Sequence, residues 1–157
     1  MRIDIKLGYR CNNNCKFCII TEKQKEMSWR SFSEIKKEID SGKNNNVDKI
    51  LFTGGEPTIR EDILKIISYA KNSGIPLIHI ESNGRMFSYR DFTEKVISAG
   101  ANSFSVSLHA HESKLYSKIT SSEIGSFDQV IEGIINLKKF TDKIFINTTI
   151  TKLNYKN

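Results

Sequence analysis

Five short runs of the chain, residues 3–7, 49–53, 77–83, 103–109 and 143–151, alternate apolar with polar side chains, and stretches with helical spacing lie between them. A period of two puts alternate side chains on opposite faces of a strand, and a period of three to four lines one face of a helix. The pattern therefore predicts five strands, with helices over 28–41, 61–73, 89–99 and 126–140. Gly42, Gly74 and Gly100 stand where helix C-terminal caps are expected. Ser28 and Ser126 stand at candidate N-caps, and Asn44-Asn45-Asn46 reads as a loop.

Strands of a parallel sheet covered on both faces read as continuous apolar runs, and these do not. Phe104, Val106 and Leu108 share one face of the fourth run, with Ser105, Ser107 and His109 on the other. In the third, Ile78 and Ile80 oppose His79, Glu81 and Asn83; in the fifth, Ile144, Ile146 and Ile150 oppose Phe145, Asn147 and Thr149. One face packs on helices and the other is polar. The pattern predicts an α/β fold, an incomplete parallel β/α barrel of about five strand–helix units whose polar inner face leads to a site at the C-terminal strand ends.

A length of 157 residues fits one domain, 1–157. No apolar run nears the roughly 20 residues that span a bilayer, and Met1-Arg2-Ile3-Asp4 is charged from the start. A cytoplasmic protein with no membrane partner is expected. The net charge of +6 favours anionic partners, but the lysines are spread rather than blocked, which reads as solvated surface.

The cysteines change the picture. All three, Cys11, Cys15 and Cys18, fall within eight residues as C-x3-C-x2-C directly after the first strand. An odd, clustered set in a reducing compartment points to a metal or cluster site rather than a disulfide framework. Zinc needs a fourth ligand, for which His79, His109 and His111 are the candidates. A [4Fe–4S] cluster normally takes four cysteines, so three leave one iron open to a substrate. After the second strand comes Thr53-Gly54-Gly55-Glu56-Pro57-Thr58, where two glycines allow a ligand close to the backbone and proline stiffens the exit.

Cys11, Cys15 and Cys18, followed by Gly54-Gly55-Glu56 one strand later, resemble the radical SAM superfamily, nearest the branch with the molybdenum-cofactor cyclase and peptide-modifying enzymes. Glu81-Ser82-Asn83-Gly84, Ser105–His109 and Ile146–Thr149 with Asn154 resemble its third, fourth and fifth strand motifs. The resemblance implies that the three cysteines hold a [4Fe–4S] cluster whose open iron binds the amino and carboxylate groups of S-adenosylmethionine. Reductive cleavage would then give a 5′-deoxyadenosyl radical that abstracts hydrogen from a substrate. It also implies that Gly54, Gly55 and Glu56 meet the methionine ammonium, that Phe17 lies along the adenine, and that Asn83, Ser107 and Asn147 bind carboxylate or ribose. A reductant such as flavodoxin or ferredoxin is the expected partner, and a peptide or small molecule is favoured over nucleic acid as substrate. The family's barrel has a further helix and sixth strand. The fifth strand is thus expected to be an exposed edge prone to self-association. Two alternatives stay open, a zinc-binding module that contacts nucleic acid and a cluster-binding fragment without catalysis.

Weaker candidates complete the reading. His109 is expected to touch substrate or to be hydrogen-bonded within the lumen, and His79 and Glu81 to form a lumen pair. Arg60 is expected to bind a carboxylate or to sit on a helix surface. His111 and Glu112 are expected in solvent, and Trp29 and Phe32 against the sheet.

Overall fold

A computed structural model describes residues 1–26 and 29–156. Its strands are β1 (Arg2–Lys6), β2 (Lys49–Thr53), β3 (Leu77–Ser82), β4 (Ser103–Ser107) and β5 (Ile144–Asn147). All pair in parallel in the order β1-β2-β3-β4-β5, so the sheet is open, as in a partial barrel. Between them run α1 (Thr21–Glu26), α2 (Phe32–Asn44), α3 (Ile63–Asn72), α4 (Arg90–Ala99), α5 (Ser113–Thr120) and α6 (Ser126–Lys138). Single 3-10 turns stand at Pro57–Ile59 and Arg85–Ser88.

The outward residues Ile5, Ile50, Phe52, Ile78, Ile80, Phe104 and Val106 are all buried against the helices. They meet stripes at helical spacing, Ile35 and Ile39 on α2, Ile63, Ile66, Ile67 and Ala70 on α3, and Val130 and Leu137 on α6. Each such isoleucine contributes roughly 1.5–3 kcal/mol on burial. Register across the inner face stacks side chains in rows. Lys6 pairs with Thr53, Glu81 with Ser105, and Ser105 with Phe145.

The predicted runs overshoot the strands because alternation outlasts the ladder: Asn83, His109 and Thr149 keep the inward pattern and line a cavity beyond the last paired residues. The first predicted helix starts late. Its cap is Ser31, in a reciprocal capping box with Glu34; the expected cap Ser28 lies outside the described residues. Gly42 is not a cap but is buried inside α2 beside Val47 and Ile3, and the helix runs on to Asn44, the first residue of the expected loop. Ser126 is the first residue of α6 rather than its N-cap, which is Gly125. Gly74 and Gly100 do follow helix ends, at φ +86° and +123°. No described helix is long and apolar enough to cross a membrane.

Candidate cofactor site at the strand ends

Beyond β1, Leu7 donates its amide to the Thr53 carbonyl at 2.9 Å, and the chain passes over the strand ends into the cysteine loop. The glycine turn after β2 is stitched to that segment, Gly55 N–H to Gly8 O at 3.0 Å and Glu56 N–H to Arg10 O at 2.8 Å. A Cβ at Gly55 would stand 2.2 Å from the Arg10 oxygen, and one at Gly54 would stand 2.4 Å from the Gly8 oxygen. Gly54 also has φ +150°, where side chains are strained. The close approach these glycines permit is thus first that of the protein's own backbone.

The loop's other side rests on α5 and on the turn after β3. Asn14 and Lys16 donate amides to the carbonyls of Thr120 and Ile119 at 3.0 and 2.9 Å. Arg85 donates to the Asn12 carbonyl at 2.7 Å, to Asn13 Oδ1 at 2.9 Å and to Gln129 Oε1 of α6 at 2.8 Å. Asn83 Nδ2 donates to Asn12 Oδ1 at 2.7 Å and lies 4.0 Å from Cys11 Sγ. The Asn13 amide reaches the same sulfur at 3.4 Å.

Glu56 is fully buried and its carboxylate is occupied. One oxygen accepts from the Thr58 amide at 3.0 Å, the Thr58 hydroxyl and the Ser82 hydroxyl at 2.8 Å, and the other from the Asn83 amide at 2.6 Å. Burial pushes its pKa up while these donors oppose the rise. It ties the β2 turn to the β3 turn beneath the site.

Above it opens a cavity of about 560 Å³. Cys11, Cys15 and Cys18 line it, as do Phe17, Gly54, Gly55, Asn83, Ser107 and Asn147. Of the predicted site residues only Glu56 is outside the lining. Burial raises the Cys11 thiol to about 11, and burial with its two cysteine neighbours raises Cys15 to about 12. Three thiolates crowd there only if a cationic centre compensates them.

The weaker candidates sort differently. His79 and Glu81 are not a pair: His79 is held by the hydroxyls of Ser103 and Ser105 at 2.7 and 2.9 Å, and Glu81 accepts from Thr53 at 3.0 Å and Asn147 at 3.4 Å. Burial drops the His79 pKa to about 4. His109 lines the cavity, edge-on to Phe17 at 4.7 Å, and its Nδ1 accepts from the Thr149 amide at 3.1 Å. Arg60 is neither on a helix surface nor free. It is buried, paired with Asp62, and donates to the carbonyls of Leu7 and Arg30 at 3.0 and 2.7 Å. Lys6 and Arg85 carry no sequence motif, and Thr53 opens the glycine turn with no role predicted for it; Lys6 and Thr53 line the cavity. Arg85 directly follows the Asn83-Gly84 turn, but no periodicity announces a partner 73 residues away.

The family model described as the Radical SAM superfamily matches residues 5–156. The chain belongs to the radical SAM superfamily. Radical SAM proteins use a [4Fe–4S] cluster and S-adenosylmethionine. The chain is 34% identical over 130 residues to a probable GTP 3′,8-cyclase of Saccharolobus islandicus, covering 83% of this chain and 41% of that protein. It is 32% identical over 151 residues to a probable GTP 3′,8-cyclase of Sulfurisphaera tokodaii, covering 96% and 47%. It thus spans less than half the length of these curated relatives. The structure of Streptococcus suis SuiB bound to S-adenosylmethionine has a similar fold, at TM-score 0.78 and 21% identity, over 99% of this chain and 35% of that one.

Proposed function

We propose that this chain is the cofactor-binding part of a radical SAM enzyme, with Cys11, Cys15 and Cys18 holding a [4Fe–4S] cluster beside a bound S-adenosylmethionine. The observation that carries this is that all three cysteines, Gly54, Gly55, Asn83 and Ser107 line one cavity of about 560 Å³. The donor set fits: soft thiols on one loop match a cluster that takes one sulfur per iron and keeps one iron open.

The carbonyls of Gly54 and Gly55 suit an ammonium, and Ser107, Asn83 and Asn147 supply neutral polar groups for carboxylate and ribose hydroxyls. Phe17 offers a ring to the adenine, with His109 fixing its tilt. Glu56 acts from beneath, holding the Asn83 amide and the glycine turn in one frame. When bound, the cluster supplies the electron that cleaves S-adenosylmethionine to methionine and a 5′-deoxyadenosyl radical, which takes a hydrogen atom from substrate. A small reductant such as flavodoxin or ferredoxin delivers that electron. Residues 1–157 are read as one core domain, with the free side of β5 open to pairing with a second copy.

Anaerobic reconstitution tests the reading. About four irons per chain are expected with a broad visible absorption band, lost in Cys11→Ala, Cys15→Ala and Cys18→Ala, and dithionite should release 5′-deoxyadenosine from S-adenosylmethionine. Colourless protein with zinc alone overturns it. A full cluster that releases no 5′-deoxyadenosine leaves a cluster-binding fragment without catalysis.

A further inference from the structure

Next to the cofactor cavity lies a groove of about 620 Å³ on the inner face of β1 to β3, and the two share Lys6, Thr53 and Glu81. Most charges of the groove are already matched: Arg30 pairs with Glu38, and Asp4 pairs with Arg2 at 2.7 Å. Two are not. Among the described residues no carboxylate pairs with the Lys6 ammonium and no cation pairs with Glu81, whose oxygens accept only from neutral Thr53 and Asn147.

Their placement follows from register. Lys6 stands opposite Thr53, whose hydroxyl reaches across to Glu81 at 3.0 Å, so cation, hydroxyl and carboxylate form one row. Two strand spacings put the outer backbones roughly 10 Å apart, and the gap is open to the cavity that holds the thiols. Building on the cofactor reading above, we propose that this row binds the reacting substrate and that the substrate is an amino acid or a small amino-acid derivative, its carboxylate on Lys6 and its ammonium on Glu81. A polyphosphate fits poorly, because one cation would face several negative charges beside an uncompensated carboxylate. A singly charged ligand would leave one of the two protein charges unmatched.

The test is anaerobic calorimetry on the full reconstituted chain, first with S-adenosylmethionine and then, once loaded, with L-lysine, 6-aminohexanoate and β-alanine as zwitterions of graded charge separation. Hexylamine, hexanoate and GTP serve as single-charge and polyanion controls. At least one zwitterion should bind, at least about tenfold more tightly than either single-charge control, and weaken by about tenfold or more in Lys6→Gln and in Glu81→Gln, as expected when one charged hydrogen bond is lost. Zwitterion affinity should fall by more than S-adenosylmethionine affinity in both variants, and an equal loss of the two would overturn the proposal. Zwitterion binding that survives both substitutions, no zwitterion binding, or GTP binding that Lys6→Gln abolishes and Glu81→Gln strengthens would overturn the proposal. Absence of S-adenosylmethionine binding to the unsubstituted chain would instead overturn the cofactor reading, and this assignment with it.

Discussion

One methyl group at Gly55 separates two accounts of the glycine turn. Its Cβ would press within 2.2 Å of the Arg10 carbonyl, one residue before Cys11, so the loop must move rather than a ligand. We expect Gly55→Ala to cost about 1–3 kcal/mol, as overpacking does, and to lower the iron retained after reconstitution; urea unfolding and metal analysis measure both. If the glycines served the ligand alone, iron would stay full and only S-adenosylmethionine affinity would fall. His79 gives a pH signature. Its folded pKa of about 4 lies below the ordinary 6.5, so between those values the unfolded chain binds a proton that the native one refuses. The stability this histidine contributes is complete above pH 6.5 and is lost as pH falls toward 4. Between pH 7 and 5 the metal-free protein should lose about 1–2 kcal/mol through this group, a loss that His79→Gln removes and that urea midpoints at the two pH values resolve.

At the scale of elements, the cysteine loop has little regular structure of its own and borrows order from neighbours far along the chain. Arg85 is the main brace, donating to Asn12, Asn13 and Gln129 at once. Losing those bonds in Arg85→Met should open the loop by roughly 1–3 kcal/mol. Alkylation of the three cysteines in the metal-free protein, followed by mass spectrometry, should then run at least about tenfold faster, with far-UV helix content unchanged and Arg85→Lys only partly restoring protection. Unchanged alkylation would make Arg85 a surface residue. The strands and the polar inner face were legible because alternation is a local signal, and nine of the ten residues named from the Cys and Gly spacing and the family resemblance line one cavity. What was not legible is long-range or competitive. α5 has no counterpart among the predicted helices because Ser113–Thr120 is short and mixed, and it is buried through Tyr116, Ile119 and Thr120 against the cysteine loop. Glu56 looked like a ligand because nothing in its neighbourhood announced the Ser82 and Asn83 donors.

For the whole molecule the open sheet decides the solution behaviour. β5 pairs with β4 on one side, and among the described residues no strand pairs with the other. Its outward Ile146 is 47% exposed and Ile150 just beyond is 68% exposed, where the matching residues of β3 and β4 are buried under helices. Phe145, on the inner face, is 55% exposed although it stacks toward His79 at 6.2 Å. An edge with unpaired backbone groups and large apolar side chains on both faces is a template for another strand, and its nearest supply is β5 of a second copy, which two-fold symmetry would place antiparallel. Lys143 at its start and the surplus positive charge oppose that pairing at low ionic strength and less at high. Light scattering coupled to size exclusion should therefore show mass rising toward a dimer with protein concentration, more so at 0.5 M than at roughly 0.05 M salt. Ile146→Lys should hold the chain monomeric, since a charge on an edge strand blocks pairing, while leaving iron content unchanged because β5 supplies no thiol. A protein monomeric across concentration and salt would mean that the edge is too short, at four residues, to recruit a partner.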